Sequence, residues 1–225
     1  MKKDILIGFL SNLLAVILGI VITFAIQGMI DRSADRRGVR SALELVRTEL
    51  MTNKEDLLVA GDFLRQEQAS ARYFLSHRDS LDRCPKDSLS FHSGILFSDF
   101  SITTCHDALE LLKMSSLFQK IGDNPLSMKI IRAYDTCEME AQFLNQRTAN
   151  RNERFANSIS EQNARRIAAN GYIDIQEYLK TDFGLYVIRD LASQASPDSF
   201  TDISDIDEAI EAIGDYLSGH RTHAH

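Results

Sequence analysis

The sequence predicts an all-α protein: one N-terminal transmembrane helix, then a long juxtamembrane helix and a helical bundle. Three observations carry this. The chain of 225 residues holds only 11 Gly and 3 Pro and no Trp, while Leu, Ile, Ala, Glu, Gln and Arg are plentiful, a composition that favours helices over a turn-rich β fold. Ile5 to Ile30 runs for 26 positions without a charged side chain, enough to cross the hydrocarbon of a bilayer as a helix. Beyond it, apolar residues recur in steps of four and three, with no strand alternation to compete.

Three Cys and 25% charged residues exclude a disulfide-dense scaffold and long disorder. Residues 1–4 are a short tail and 5–30 the span; residues 31–219 are one bundle domain and 220–225 a flexible tail containing histidines. With Lys2, Lys3 and Asp4 set aside, 23 basic residues face 31 acidic ones, a formal charge of −8. A cleaved signal peptide is the rival reading of the N-terminus. Its apolar region would be too long, and no processed-looking boundary follows Thr23-Phe24-Ala25. A retained anchor in the cell (inner) membrane is therefore expected. Arg32, Arg36, Arg37, Arg40 and Arg47 outnumber Lys2 and Lys3, which favours a cytoplasmic bundle. Cys84, Cys105 and Cys137 have no paired spacing, as suits a reducing compartment or buried thiols.

Within the span, Ser11, Ala15, Gly19, Thr23 and Gln27 recur every four positions beside Asn12. Small residues permit close helix approach and polar ones hydrogen-bond across it, so the stripe predicts association into a homo-oligomer in the bilayer. Val39, Leu43, Val46, Leu50, Asn53, Leu57, Ala60 and Leu64 then form a heptad seam. Continued through Ala71 and Phe74, the helix from Arg32 would be ~65 Å long. The seam fits either an intermolecular coiled coil or the packing stripe of an intramolecular bundle.

From Ser76 to Ser101 the period fails around Cys84-Pro85 and Gly94, and Phe91, Ile95, Leu96, Phe97 and Phe100 suggest an aromatic-pinned loop or short hairpin. Thr104 with Asp107 predicts a capped helix ending at Gly122, and Asn124-Pro125 the start of a long helix running to Asn170-Gly171. Asp174 with Glu177 opens a short helix leading into 183–195. Ser204 caps the last helix, whose early turns carry acids and whose face is Ile206, Ile210, Ile213 and Leu217.

The span ending in Ile26-Gln27, the run from Leu43 to Leu50 with Asn53, the stretch from Asp107 to Ser115, Asn124-Pro125-Leu126 with Tyr134-Asp135, and the C-terminal amphipathic helix form one pattern. It resembles a bacterial family of small, N-terminally anchored, single-pass, mostly helical membrane proteins of unknown function. The resemblance implies architecture and no activity. The chain departs from it at the end of the span, where Gly28-Met29-Ile30 stands in place of aromatic interfacial residues.

No catalytic constellation is legible, so no enzyme is expected, and neither a cofactor nor a metal. His106 and Glu110 share a helical face beside Cys105 but lack a third ligand. His220, His223 and His225 read as a frayed end. Asp182-Phe183-Gly184 lacks every accompanying kinase motif, and Asp198, Asp202, Asp205 and Asp207 lack the turn glycine and closing Glu of a calcium loop. Arg147, Arg151, Arg154, Arg165 and Arg166 are a candidate docking face for an acidic protein partner. The acidic domain and sparse aromatics argue against nucleic acid. The expected function is a membrane-anchored, self-associating interaction or scaffold protein. The alternative is an extracytoplasmic ligand-binding sensory bundle signalling through a separate partner.

Overall fold

The computed structural model describes residues 2–159, 161, 164–165, 174–194 and 202–219; before residue 32 it describes side chains only at Leu18 and Gln27. Every regular element among them is helical. Helix α1 runs unbroken from Lys2 to Ser76. A 3-10 segment (Arg78–Arg83) follows, then α2 (Lys86–Phe97), α3 (Asp107–Met114), α4 (Leu117–Lys120), α5 (Asn124–Ser158), α6 (Ile175–Tyr178), α7 (Asp182–Ser193) and α8 (Ser204–Gly219).

No helix among the described residues is long and apolar enough to cross a membrane. The apolar run, with Ser11, Asn12, Ala15, Gly19 and Thr23, lies outside the described side chains, and Gln27 is exposed. The heptad seam is an intramolecular stripe. Leu43, Val46, Leu50, Leu57 and Ala60 are fully buried against α3, α5 and α8, where Leu112, Ile130 and Ile213 meet them. Each buried Leu contributes roughly 1.5–3 kcal/mol by leaving water. A second core sits at the far end of α1, where Ala71 and Phe74 meet Leu96, Phe155, Tyr178 and Ile188.

Four boundaries differ from the sequence expectation. Most of the segment expected as a loop is helical: Pro85 stands at the N-cap of α2, and Leu96 and Phe97 of that helix enter the second core. Ser88, Ser90, Ser93 and Gly94 alternate with its apolar residues, so no periodic stripe marks it. Thr104 does not cap α3; its hydroxyl meets His106 Nε2 at 3.2 Å, and the cap comes from Glu49 on α1, which accepts from Ala108 N–H at 3.0 Å. Helix α5 ends at Ser158, short of Asn170, because Ile159 turns extended and Ser158 meets the Tyr178 hydroxyl at 2.5 Å. At α8, Asp202 rather than Ser204 supplies the capping carboxylate, accepting from the Ser204 N–H at 3.0 Å.

The other caps follow the sequence closely. Asp123 accepts from Leu126 N–H, one residue before the expected Asn124, and Asp174 accepts from Gln176 and Glu177 N–H. Gly122 ends the preceding helix with φ +70°, a conformation that favours glycine.

Candidate functional site

Between the two cores the seams turn polar. On α1 the steps from Leu64 reach Glu67 and then Ala71, with Gln68 and Ser70 beside them; on α5 they pass from Leu144 through Thr148 and Arg151 to Phe155. Helical period therefore places Glu67 and Arg151 on the buried stripes of their own helices. Both are buried, and Arg151 Nη1 donates to Glu67 Oε1. Arg151 also donates through Nη2 to Ser98 O at 2.7 Å, and its guanidinium carbon lies 5.8 Å from the Phe63 ring centroid. A buried guanidinium needs such a set, since each charge taken from water costs several kcal/mol unless paired and hydrogen-bonded.

One turn earlier on α5, Arg147 donates to the Gln194 amide oxygen at the end of α7, while Gln68 on α1 donates to the Gln194 backbone carbonyl at 2.6 Å. Arg154 pairs with Asp190 at 2.5 Å. Burial is the largest influence on Arg147 and pulls its pKa below the ordinary value; Glu67 and Asp190 oppose this and Arg151 adds to it. Thr148 is buried, and its hydroxyl has no hydrogen-bond partner among the described residues. A cleft of about 260 Å³ opens here between α1, α5 and α7, with Leu64, Val187 and Leu191 as apolar wall.

Of the arginines expected as one docking face, Arg147, Arg151 and Arg154 all line the cleft, Arg151 being buried at its inner side, and Arg165 is exposed beside Glu161. Arg166 lies outside the described residues. The physical reason for the burial of Arg151 is register: it occupies a seam position three residues after Thr148 and four before Phe155, so packing draws it inward. Continuing the seams through polar residues would have located both Glu67 and Arg151.

A second polar assembly holds the irregular segment 98–106. Asn53 donates to Cys105 O at 2.8 Å and accepts from Cys105 N–H at 2.9 Å. Asn145 treats Ile102 in the same way, at 2.7 and 2.9 Å. Each amide thus replaces the two bonds a neighbouring strand would supply. Glu49 completes the clasp by accepting from the Tyr134 hydroxyl at 2.5 Å. Burial alone would raise the Glu49 carboxyl, but the bonds from Tyr134 and the Ala108 N–H outweigh it and hold the pKa below its ordinary value. His106 lies 5.3 Å from the Tyr134 ring, Cys105 is exposed and Cys137 buried.

Among the described residues, no group of three His, Cys, Asp or Glu side chains is placed to hold a metal ion. Asp182, Phe183 and Gly184 form the first turn of α7, with Thr181 Oγ1 accepting from Gly184 N–H at 3.0 Å. The C-terminal histidines lie outside the described residues. Comparison with family models, curated proteins and solved structures gave no match to this chain. The cleft and the clasp are thus read from their own chemistry. The clasp uses its polar groups internally; the cleft has an accessible interior.

Proposed function

We propose that this chain is a membrane-anchored helical interaction or scaffold protein that self-associates, with residues 5–30 as the single span. The observation that carries the reading is the unbroken course of α1 over 75 residues, which at 1.5 Å per residue is a rod ~110 Å long. A helix without a break transmits position and orientation from its N-terminal half to the bundle built on its C-terminal half. Lipid would be the partner of the apolar half. Leu45, Met51, Leu58 and Val59 are all exposed on the side of α1 opposite the buried seam, and at 100° per residue they line a surface that a second copy would cover. The cytoplasmic placement of the bundle rests on the Arg-rich boundary, where Arg32, Arg36 and Arg37 are exposed.

The test is crosslinking of the full chain in detergent. Replacing Ala15 and Gly19 by Leu is expected to reduce dimeric and higher species, because the bulk prevents close helix approach. Unchanged crosslinking would remove the small-residue stripe from the account. Reporters fused after His225, one active only in the cytoplasm and one only when exported, test the orientation.

The polar cleft favours a second reading, a ligand-binding bundle that signals through a separate partner. An exported C-terminal reporter would place this reading ahead of the scaffold.

A further inference from the structure

The buried seam of α1 continues beyond the bundle as arginine. Stepping back from Leu43 by four, three and four residues reaches Val39, Arg36 and Arg32. Val39 is buried, and both arginines are exposed. The packing of the bundle begins at this step, where the Leu117 side chain would lie 3.2 Å from a Cβ on Gly38. Arg37 is a third exposed guanidinium, and its Nε reaches Ser33 O at 3.4 Å. Among the described residues none of the three has a carboxylate partner. The acids nearby are engaged elsewhere, Asp35 with Lys120 at 2.7 Å, Glu44 with Arg40 at 3.3 Å and Asp123 with the Leu126 N–H at 2.9 Å. Residues 31–40 hold four Arg against two Asp in a chain of formal charge −7, so positive charge is in excess at this end of an acidic protein.

We propose that this end of the bundle docks on the anionic phospholipid headgroups of the bilayer, their phosphates held by Arg32, Arg36 and Arg37. The inference rests on the reading of residues 5–30 as the span and adds to it the class of lipid. Two relationships carry it. The first is height. At 1.5 Å per residue the three arginines stand ~3, ~9 and ~11 Å beyond Ile30 along the helix axis, which brings their long side chains to a headgroup layer about 5–8 Å deep and keeps them within about one Debye length of it. The second is spread. Arg32 and Arg36 lie one turn apart on the seam side, and Arg37 stands about 100° round the helix from Arg36. Guanidiniums divided in this way meet neighbouring headgroups, whereas a single phosphate ion needs them convergent. Each basic side chain near an anionic surface strengthens the attraction about fivefold.

The experiment offers the full chain, in a neutral detergent, equal amounts of phosphatidylglycerol and phosphatidylcholine with matched acyl chains, and counts the lipids each chain retains by native mass spectrometry. Phosphatidylglycerol is expected to be retained over phosphatidylcholine by about tenfold at low salt, a ratio that falls towards one as added salt shortens the range of the attraction. Arg32→Gln, Arg36→Gln and Arg37→Gln combined are expected to bring the ratio below about twofold. The thermal midpoint of this variant should match the parent's, since all three side chains are exposed. Arg189→Gln, exposed on α7, is expected to keep the parent ratio. A parent ratio near one, a ratio indifferent to salt, or one that survives the triple substitution overturns the inference. Displacement of phosphatidylglycerol by inorganic phosphate at equal concentration also overturns it, by marking a site for a free ion. Flotation of the alkali-washed chain with vesicles of either lipid reads the span separately. Flotation without a lipid preference overturns this inference alone; no flotation overturns the span and this inference together.

Discussion

Arg151 of α5 and Glu67 of α1 form an ion pair midway along the bundle, with 4% and 2% of their side chains exposed. It separates an apolar core built on Leu43, Leu50 and Leu57 from one built on Phe74, Phe155 and Tyr178. A charge at this depth cannot be left alone. Glu67→Leu or Arg151→Met is expected to cost about 3–5 kcal/mol, much of it the penalty of the orphaned partner. The pair Glu67→Leu with Arg151→Met is expected to cost less than either single change. Chemical denaturation of the full chain in detergent, arranged as a double-mutant cycle, measures the coupling.

Asn53 is 1% exposed and satisfies both backbone groups of Cys105. Asn53→Ala leaves two backbone groups and a void, and is expected to cost about 2–3 kcal/mol. Hydrogen exchange gives a local readout. The Cys105 amide should lose protection in Asn53→Ala and the Ile102 amide in Asn145→Ala, each without the other if the two amides clamp the segment independently.

Glu49 makes the clasp sensitive to acid. Its carboxyl titrates below the ordinary value of 4.5 in the folded chain, so its contribution is fully present above that value and is lost as pH falls through the folded one. Glu49→Gln is expected to lower stability at neutral pH by about 1–3 kcal/mol. It should also flatten the decline between pH 5 and 3. Denaturation midpoints of parent and variant across that window check the sign; parallel curves would contradict it.

Gly184 occupies the first turn of α7 with no space beside it. A methyl group there would stand 2.3 Å from Tyr178 O and 2.6 Å from Thr181 Oγ1, well inside contact distance. Gly184→Ala is expected to cost about 1–3 kcal/mol through displacement of the α6–α7 turn, read as a lower thermal midpoint. Gly94→Ala is the control, since nothing lies within 4 Å of its added carbon.

The three thiols differ in access. Cys105 is exposed, Cys84 half-buried and Cys137 buried, with burial pushing the Cys137 thiol up to about 12. Maleimide at neutral pH should modify Cys105 first, because it alone of the three is exposed, and Cys137 only on unfolding, because it is buried and its thiol is held up by burial. Labelling counted by mass spectrometry before and after denaturant tests the order.

Much of the architecture is legible along the chain because it is local. The heptad steps from Val39 to Leu64, the cap at Asp174, the stop at Gly122 and the face from Ile206 to Leu217 each depend on residues within a turn or two. Helical period and capping chemistry act at that range. What escaped were features whose partners are distant. Glu49 caps a helix 59 residues on, and α2 gains its place from Leu96 and Phe97 entering a core formed largely by other segments.

The candidate site divides in the same way. The sequence by itself determined an all-α chain, an apolar N-terminal run, an Arg-rich boundary and the repeats that place Glu67 and Arg151 on their seams. It could not say that those seams meet, or that Arg147, Arg151 and Arg154 would line one cleft with Arg151 buried and Arg154 exposed. Tertiary structure decided that, because helical periodicity fixes only the direction of a side chain around its own axis. Which charge faces it, and whether water remains between them, depends on the packing of helices far apart in the chain.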